Sequence, residues 1–418
     1  DPVGPTTFAA DRGTLLLDGG VVNAVGRAAG GRYLLLRTSR DGAIHLFDPN
    51  AGQVVRKFDT GASNALFAGS ASKLFVYKRQ PGGGELQRWN LESGAREQDA
   101  KVGGVPPDAV VVGAGVDGPV YLFNAPANGV ASARVIDPDT LAPVNQFAVP
   151  DWRPDADVHV RPSDDGSMVA LGSSAGVRVM RLGPAGFTGM SPVWGSALAT
   201  PARNGGAVYA TGGLFDPRGT PKGGVTRYAF PTAHGSGLFL TLDEGPFNKS
   251  LAGPLQLHLT AAPATAAELD DFPLPTGLRA DDAGALPPDQ RIHLWPAAGL
   301  AAVILAGADG KVTLVKVDVD ALLKETSAAY LVIRTEPRLW AARGAEWRYA
   351  PAAWTSAKGS QVVTLKSGPP GMQVQANQLV WTPGTAAPSV AVVELSVAAG
   401  TLTAEQRFQV TVVNVGGE

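Results

Sequence analysis

The 418-residue chain contains no cysteine, which removes disulfides, thiolate nucleophiles and cysteine-ligated metal centres together. Charge is scarce as well. Asp, Glu, Lys and Arg supply 17 % of the residues, below the roughly one quarter usual in soluble domains. The 35 basic and 37 acidic side chains leave a formal charge of −2, so no electrostatic footprint exists for DNA, RNA or an anionic membrane. No run reaches the roughly eighteen apolar residues of a bilayer-spanning helix. Helical periodicity is nearly missing: one short stretch, Val319 to Glu325, reads as a helix, with Asp320 as its N-cap. Glycine (52) and proline (33) are plentiful, as short strands joined by tight turns require. The chain begins at Asp1-Pro2 rather than Met, which leaves room for a removed leader or an upstream region.

A period of about 45 residues runs through the first three quarters. An apolar strand, a turn and a second strand recur as Tyr33–Leu36 with Ala43–Asp48, Lys73–Tyr77 with Glu85–Asn90, and Pro119–Phe123 with Ala133–Asp137. Further copies are Ser167–Leu171 with Val177–Arg181, Ala207–Ala210 with Val225–Tyr228, Leu255–Leu259, and Ala302–Leu305 with Lys311–Val315. The steps between apolar strands are 41, 46, 48, 39, 49 and 46 residues, the length of one four-stranded propeller blade. One blade cannot bury both its faces, and a closed ring gives each blade two neighbours. The count is seven, with six or eight as alternatives because the sixth copy is weakest. A parallel β-helix would repeat at a shorter interval, and a TIM barrel would need amphipathic helices between strands.

Asp41-Gly42, Asp165-Gly166 and Asp309-Gly310 supply the positive φ that tight hairpin turns need. After the second strands come Asp48-Pro49-Asn50-Ala51-Gly52, Asn90-Leu91-Glu92-Ser93-Gly94 and Asp137-Pro138-Asp139-Thr140. These segments resemble the turns of WD-repeat and YVTN-type bacterial β-propellers, although the Gly-His dipeptide of WD blades, and with it the anchor of their hydrogen-bonded tetrad, is missing.

Past Thr335-Glu336-Pro337 the pattern changes. Tyr330–Ile333 reads as the outer strand of the last blade, and Gln361–Leu365, Gln378–Trp381, Val390–Val397 and Gln406–Val413 read as an antiparallel sandwich. Pro370-Gly371-Met372 and Trp381-Thr382-Pro383 resemble the signature of bacterial immunoglobulin-like or cadherin-like domains, which implies core roles for Met372 and Trp381. Its acids are Glu336, Glu346, Glu394, Glu405 and Glu418, with no Asp, too few for a calcium cage of six to eight oxygens. The expected architecture is therefore all-β: a seven-bladed WD-like β-propeller over residues 8–335 and an immunoglobulin-like or cadherin-like β-sandwich over 336–418.

The catalytic patterns dissolve on inspection. Gly172-Ser173-Ser174-Ala175-Gly176 matches a hydrolase elbow, but lies between two strands rather than between a strand and a helix. His45, His159, His234, His258 and His293 show no metal-ligand spacing. Asp318-Val319-Asp320 lacks the rest of a calcium loop. Glu268, Asp270-Asp271 and Asp281-Asp282 offer paired carboxylates of the glycosidase type, in a Pro-rich stretch that reads as a solvated loop. No catalytic residue, cofactor or metal is expected, and the chain reads as a non-enzyme.

Loops after the second and fourth strands of each blade share one propeller face, and Arg40, Arg79, Trp152, Arg153, Trp194, Arg218 and Lys222 are assigned there. Exposed aromatic and arginine side chains are the usual anchors of binding surfaces. The expected function is a recognition or scaffolding module for a protein or peptide partner. A carbohydrate-binding or carbohydrate-processing propeller is the alternative, marked by Trp and carboxylates around the central channel; a metal- or quinone-dependent enzyme comes third. The pairing of propeller and immunoglobulin-like domain resembles parts of large planctomycete-type proteins, which implies a periplasmic, envelope or secreted location and a longer parent chain.

Overall fold

The computed structural model describes residues 3–126, 129–149, 158–173, 176–183, 186–191, 198–223, 225–235, 237–244, 251–261, 263, 265–269, 272–274, 286–305 and 310–413. Among the described residues between Arg12 and Lys316, seven antiparallel sheets follow one another in chain order. The first consists of Val22–Ala28, Tyr33–Thr38, Ile44–Asp48 and Gln53–Phe58, each strand paired with the next. The second (Leu66 to Gly103), third (Ala109 to Ala148), fourth (His159 to Met190) and sixth (Tyr228 to Leu269) repeat this four-stranded meander. The fifth has three strands, Ala199–Pro201, Val208–Ala210 and Gly213–Phe215. Ile292–Trp295, Leu300–Ile304 and Lys311–Lys316 form the seventh, and its outer strand is Arg12–Leu16 from the start of the chain.

The second strands explain the ring. Leu34, Leu35 and Leu36 are all fully buried, which a half-exposed sheet could not achieve, because successive side chains point to opposite faces. Leu34 and Leu36 pack with Trp295, Leu300 and Ile304 of the seventh sheet. Leu35 packs with Leu74 and Val76 of the second, whose Phe75 and Tyr77 turn to Val120 and Leu122 of the third. Separate apolar clusters continue between sheets three and four, four and five, five and six, and six and seven. Each sheet is thus sandwiched between two others and the seventh meets the first. This is a β-propeller.

The N-terminal strand locks the ring. It pairs with Lys311–Lys316 from Arg12↔Val315 to Leu16↔Lys311, and without it the third strand would be an open edge. Deleting residues 1–17 is expected to lower stability by about 3 kcal/mol or more and promote aggregation. Urea denaturation with light scattering measures both; an unchanged midpoint would refute the locking role.

The structure revises four readings of the strands and the helix. Val225–Tyr228 does not pair with Ala207–Ala210; Tyr228–Pro231 opens the sixth sheet, and Leu255–Leu259 lies in that sheet's third strand. Its second strand is Leu238–Glu244, only 30 positions after Val208, because the fifth sheet shows no regular outer strand among the described residues. In its place Lys222 N–H donates to the Leu214 carbonyl at 2.7 Å. The helix Val319–Glu325 is present, but Asp318 rather than Asp320 caps it, accepting from Ala321 N–H.

Tyr330–Ile333 is not the outer strand of the last sheet. Leu331–Ile333 pairs with Ala353–Thr355. Tyr330 and Val332 point into the core between sheets six and seven, whereas Leu331 and Ile333 point into the C-terminal core. One strand, apolar on both faces, cements the two parts. That C-terminal part has a four-stranded sheet of Trp340–Ala342, Leu402–Val413, Val390–Ala399 and Val362–Ser367, and a three-stranded one of Trp347–Tyr349, Gln378–Trp381 and Gln373–Gln375. Met372 and Trp381 are buried in its core with Trp347 and Phe408.

Candidate functional site

The innermost strands run from one face of the ring to the other, so turns between first and second strands gather at one end of the channel. There they close it. Gly30 N–H donates to Ala114 O at 2.7 Å, Gly115 N–H to Asp164 O at 2.7 Å and Asp165 N–H to Arg203 O at 3.0 Å. Gly31, at φ +79°, approaches so closely that a Cβ would stand 2.0 Å from the Ala233 carbonyl oxygen, and its own carbonyl accepts from Trp295 Nε1 at 2.8 Å.

A buried ionic network ties this closed end to the C-terminal part. Arg203 Nε donates to Asp164 Oδ2 at 2.5 Å, Nη1 to Glu336 Oε1 at 3.0 Å and Nη2 to the Gly30 carbonyl. Arg27 Nη2 stands 3.2 Å from the other Asp164 oxygen. Glu336 Oε2 accepts from Gln406 Nε2 at 2.9 Å, and the Tyr349 hydroxyl, with one proton to give, lies 2.8 Å from Gln406 Oε1 and 2.7 Å from Thr335 O. Burial pushes the Glu336 carboxyl above the usual glutamate value, against the pull of Arg203.

Inside the channel lies a cavity of about 250 Å³. Its walls are Ala24, Ala68, Ala109, Val25, Val110 and Phe67, with polar groups between them. The helical turn Pro288–Arg291 leans into it, held by Gln290 Nε2 donating to Val25 O at 3.1 Å. Asp289 crosses to the fourth and fifth sheets, accepting from Arg161 Nε at 2.8 Å and Thr200 Oγ1 at 3.1 Å. Burial opposes the Asp289 charge, yet the Arg161 guanidinium holds its carboxyl below the usual range. His293 also lines the cavity, and burial holds its ring down to about 4. The third lining carboxylate, Asp108, faces Arg79 Nη2 at 3.6 Å. Every lining carboxylate therefore meets a guanidinium.

The assigned binding residues are not gathered on one face. Arg40 is exposed in the turn after Tyr33–Thr38, and Arg79 lies near the end of Lys73–Gln80 with Nη2 donating to Pro107 O at 2.9 Å. Both stand at the open end. Arg218 and Lys222 follow a third strand, Gly213–Phe215, and antiparallel alternation turns that connection toward the closed end, so their assignment to the shared face is corrected. Trp152, Arg153 and Trp194 lie outside the described residues, as do Asp270, Asp271, Asp281, Asp282, Ser174 and Ala175. Ser173 pairs with Gly176 across a hairpin.

Sequence reasoning missed the buried arginines. Arg203 stands in Pro201-Ala202-Arg203-Asn204-Gly205, which reads as a solvated turn; only convergence of distant turns buries it. The first sheet also holds a hydrogen-bonded cluster around the buried Thr38. Thr38 Oγ1 donates to Asp41 Oδ1 at 2.7 Å and lies 3.4 Å from His45 Nε2. Burial works against the Asp41 charge, but hydrogen bonds from Thr38, Ala43 and Lys57 bring its carboxyl down to about 2.

No protein-family model matches the chain, and no curated protein does. Among solved structures, the β-propeller domain of Cps50 (Swd1) from Myceliophteria thermophila is similar over 73 % of this chain and 99 % of its own, at 14 % identity and a TM-score of 0.46. Hydrazine synthase from Kuenenia stuttgartiensis is similar over 78 % of this chain and 84 % of its own, at 13 % identity and a TM-score of 0.39. At such values the propeller assignment stands on the sheet order and the closed ring of cores.

Proposed function

We propose that this chain is a non-catalytic recognition or scaffolding module. In this reading a seven-bladed WD-like propeller, about residues 8–335, presents its open loop face to a protein or peptide partner. An immunoglobulin-like sandwich over 336–418, sharing Leu331–Ile333 with the ring, braces the closed face. The observation that carries it is the engagement of Asp108, Asp164 and Asp289 with Arg79, Arg27, Arg203 and Arg161. Carboxylates neutralised this way hold the channel in shape and are poor general acids or bases. The described lining carries no tryptophan, and its three carboxylates are paired with arginines, which favours the protein partner over the carbohydrate alternative. A periplasmic, envelope or secreted location accompanies this reading.

Binding of the full chain to a displayed library of short peptides and to arrayed glycans tests it. Saturable peptide binding is expected, weakened about tenfold by Arg40→Glu with thermal stability unchanged. Binding confined to glycans would transfer the function to the carbohydrate reading.

A further inference from the structure

On the closed face, a groove of about 290 Å³ separates the first two sheets from the segment Glu336–Trp340. Trp340 is 43 % exposed, and its ring carries the Arg338 guanidinium 4.3 Å from its centroid. Across the groove, Arg32 lies 4.6 Å over the Tyr33 ring. Stacking on Trp340 holds the Arg338 guanidinium in place while its edge stays able to donate hydrogen bonds. Trp, Tyr and Arg are the side chains most enriched among binding hot spots, and four of them meet here.

The charges in the groove are unequally spent. Arg32 Nη2 is bound to Asp48 at 2.8 Å. Asp117 accepts from Ser70 Oγ at 2.7 Å, Ser72 N–H at 2.7 Å and Ser72 Oγ at 2.9 Å. Arg203 and Glu336, on the inner wall, neutralise each other, and burial together with the Arg203 and Arg32 charges keeps His234 neutral. Arg338 is a groove cation with no carboxylate partner among the described residues, and Glu92 is exposed on the opposite side. The walls are fixed relative to one another by the Arg203 network and the shared strand Leu331–Ile333, so the groove exists before anything binds.

We propose that this groove is a second docking site, separate from the open loop face, for an extended protein segment carrying an acidic residue beside an aromatic or proline side chain. The acidic group pairs with Arg338, and the apolar side chain enters between Tyr33 and Trp340. A chain engaged on both faces would bridge two partners.

The test uses the full chain carrying Arg40→Glu, which weakens the open face and leaves the Arg79–Asp108 pair intact. Short random peptides displayed on phage are selected on it, and enriched sequences are synthesised and titrated calorimetrically. Enriched peptides are expected to share an acidic residue next to an aromatic or proline. Their affinity should fall about tenfold or more with Arg338→Glu and with Trp340→Ala, and Arg338→Lys should restore part of it. Both residues are partly exposed, and an unchanged melting temperature confirms folding. Selected peptides that lack acids, or bind Arg338→Glu undiminished, overturn the proposal, as does failure to enrich any. Glycan-array binding abolished by Trp340→Ala would assign the groove to a carbohydrate instead. A self-association abolished by the same change would assign it to a second copy. Loss of the open-face binding in the unmodified chain bears on the module reading alone.

Discussion

Replacing Arg203 with alanine is expected to destabilise the protein by about 3–5 kcal/mol, the usual consequence of removing one member of a buried ion pair. The side chain sits between two carboxylates, Asp164 and Glu336, and also donates to the Gly30 carbonyl. Its loss leaves those carboxylates facing each other in a buried site, with only Arg27 and Gln406 to compensate. Because the network joins ring to C-terminal part, damage should appear first at that junction. Limited proteolysis is expected to cut near Thr335-Glu336-Pro337 in Arg203→Ala before the ring unfolds in urea. The double variant Arg203→Met with Glu336→Leu should recover much of the stability, since replacing a whole buried pair by apolar groups is often nearly neutral. A single variant as stable as the parent chain would show that Arg203 is solvated in solution.

Acidification from pH 6.5 to about 4 is expected to cost about 3 kcal/mol through His293 alone. Burial holds its folded value down to about 4, against 6.5 for the free side chain, and each tenfold difference in proton affinity is worth about 1.4 kcal/mol. The unfolded chain binds the extra proton in this window, so the stability present above 6.5 is lost as pH falls through the folded value. His234, lowered well below 6.5 by burial and by Arg203 and Arg32, acts in the same direction. Glu336 acts in the opposite one. Its raised carboxyl lets the folded state take up a proton sooner than the unfolded state, a contribution present at low pH and lost as pH rises through its folded value. Urea midpoints measured between pH 7 and 4 should therefore fall on acidification. His293→Gln should reduce the proton uptake on unfolding by about one. An unchanged slope in that variant would mean that His293 is hydrated in the folded protein.

The histidines illustrate what could be read in advance. His45 and His258 stand in alternating strands, and both are buried strand residues, partnered by Thr38 and Thr241. His293 resembles them in sequence, yet it lines the channel, because the turn Pro288–Arg291 and the strand after it form the inner wall of the seventh sheet. The assigned open face suffered for a related reason. Arg218 and Lys222 sit in an insertion whose strands are too short to count from sequence, and one uncounted strand reverses the end at which a loop emerges.

By itself, the sequence determined that the chain is all-β, that its first three quarters repeat at blade length, and that tight Asx and glycine turns separate the strands. Local chemistry suffices for these: Asp48, Asn90 and Asp137 each accept from backbone N–H groups two residues on, whatever surrounds them. Only the tertiary structure decided that Arg12–Leu16 closes the seventh sheet, that Leu331–Ile333 serves two cores, and that Arg203 and Asp289 are buried where they bridge distant turns. Those features depend on contacts more than a hundred residues apart, such as Arg161 with Asp289 and Arg203 with Glu336. The energy of such a pair comes from a low-dielectric site that exists only after the ring has closed.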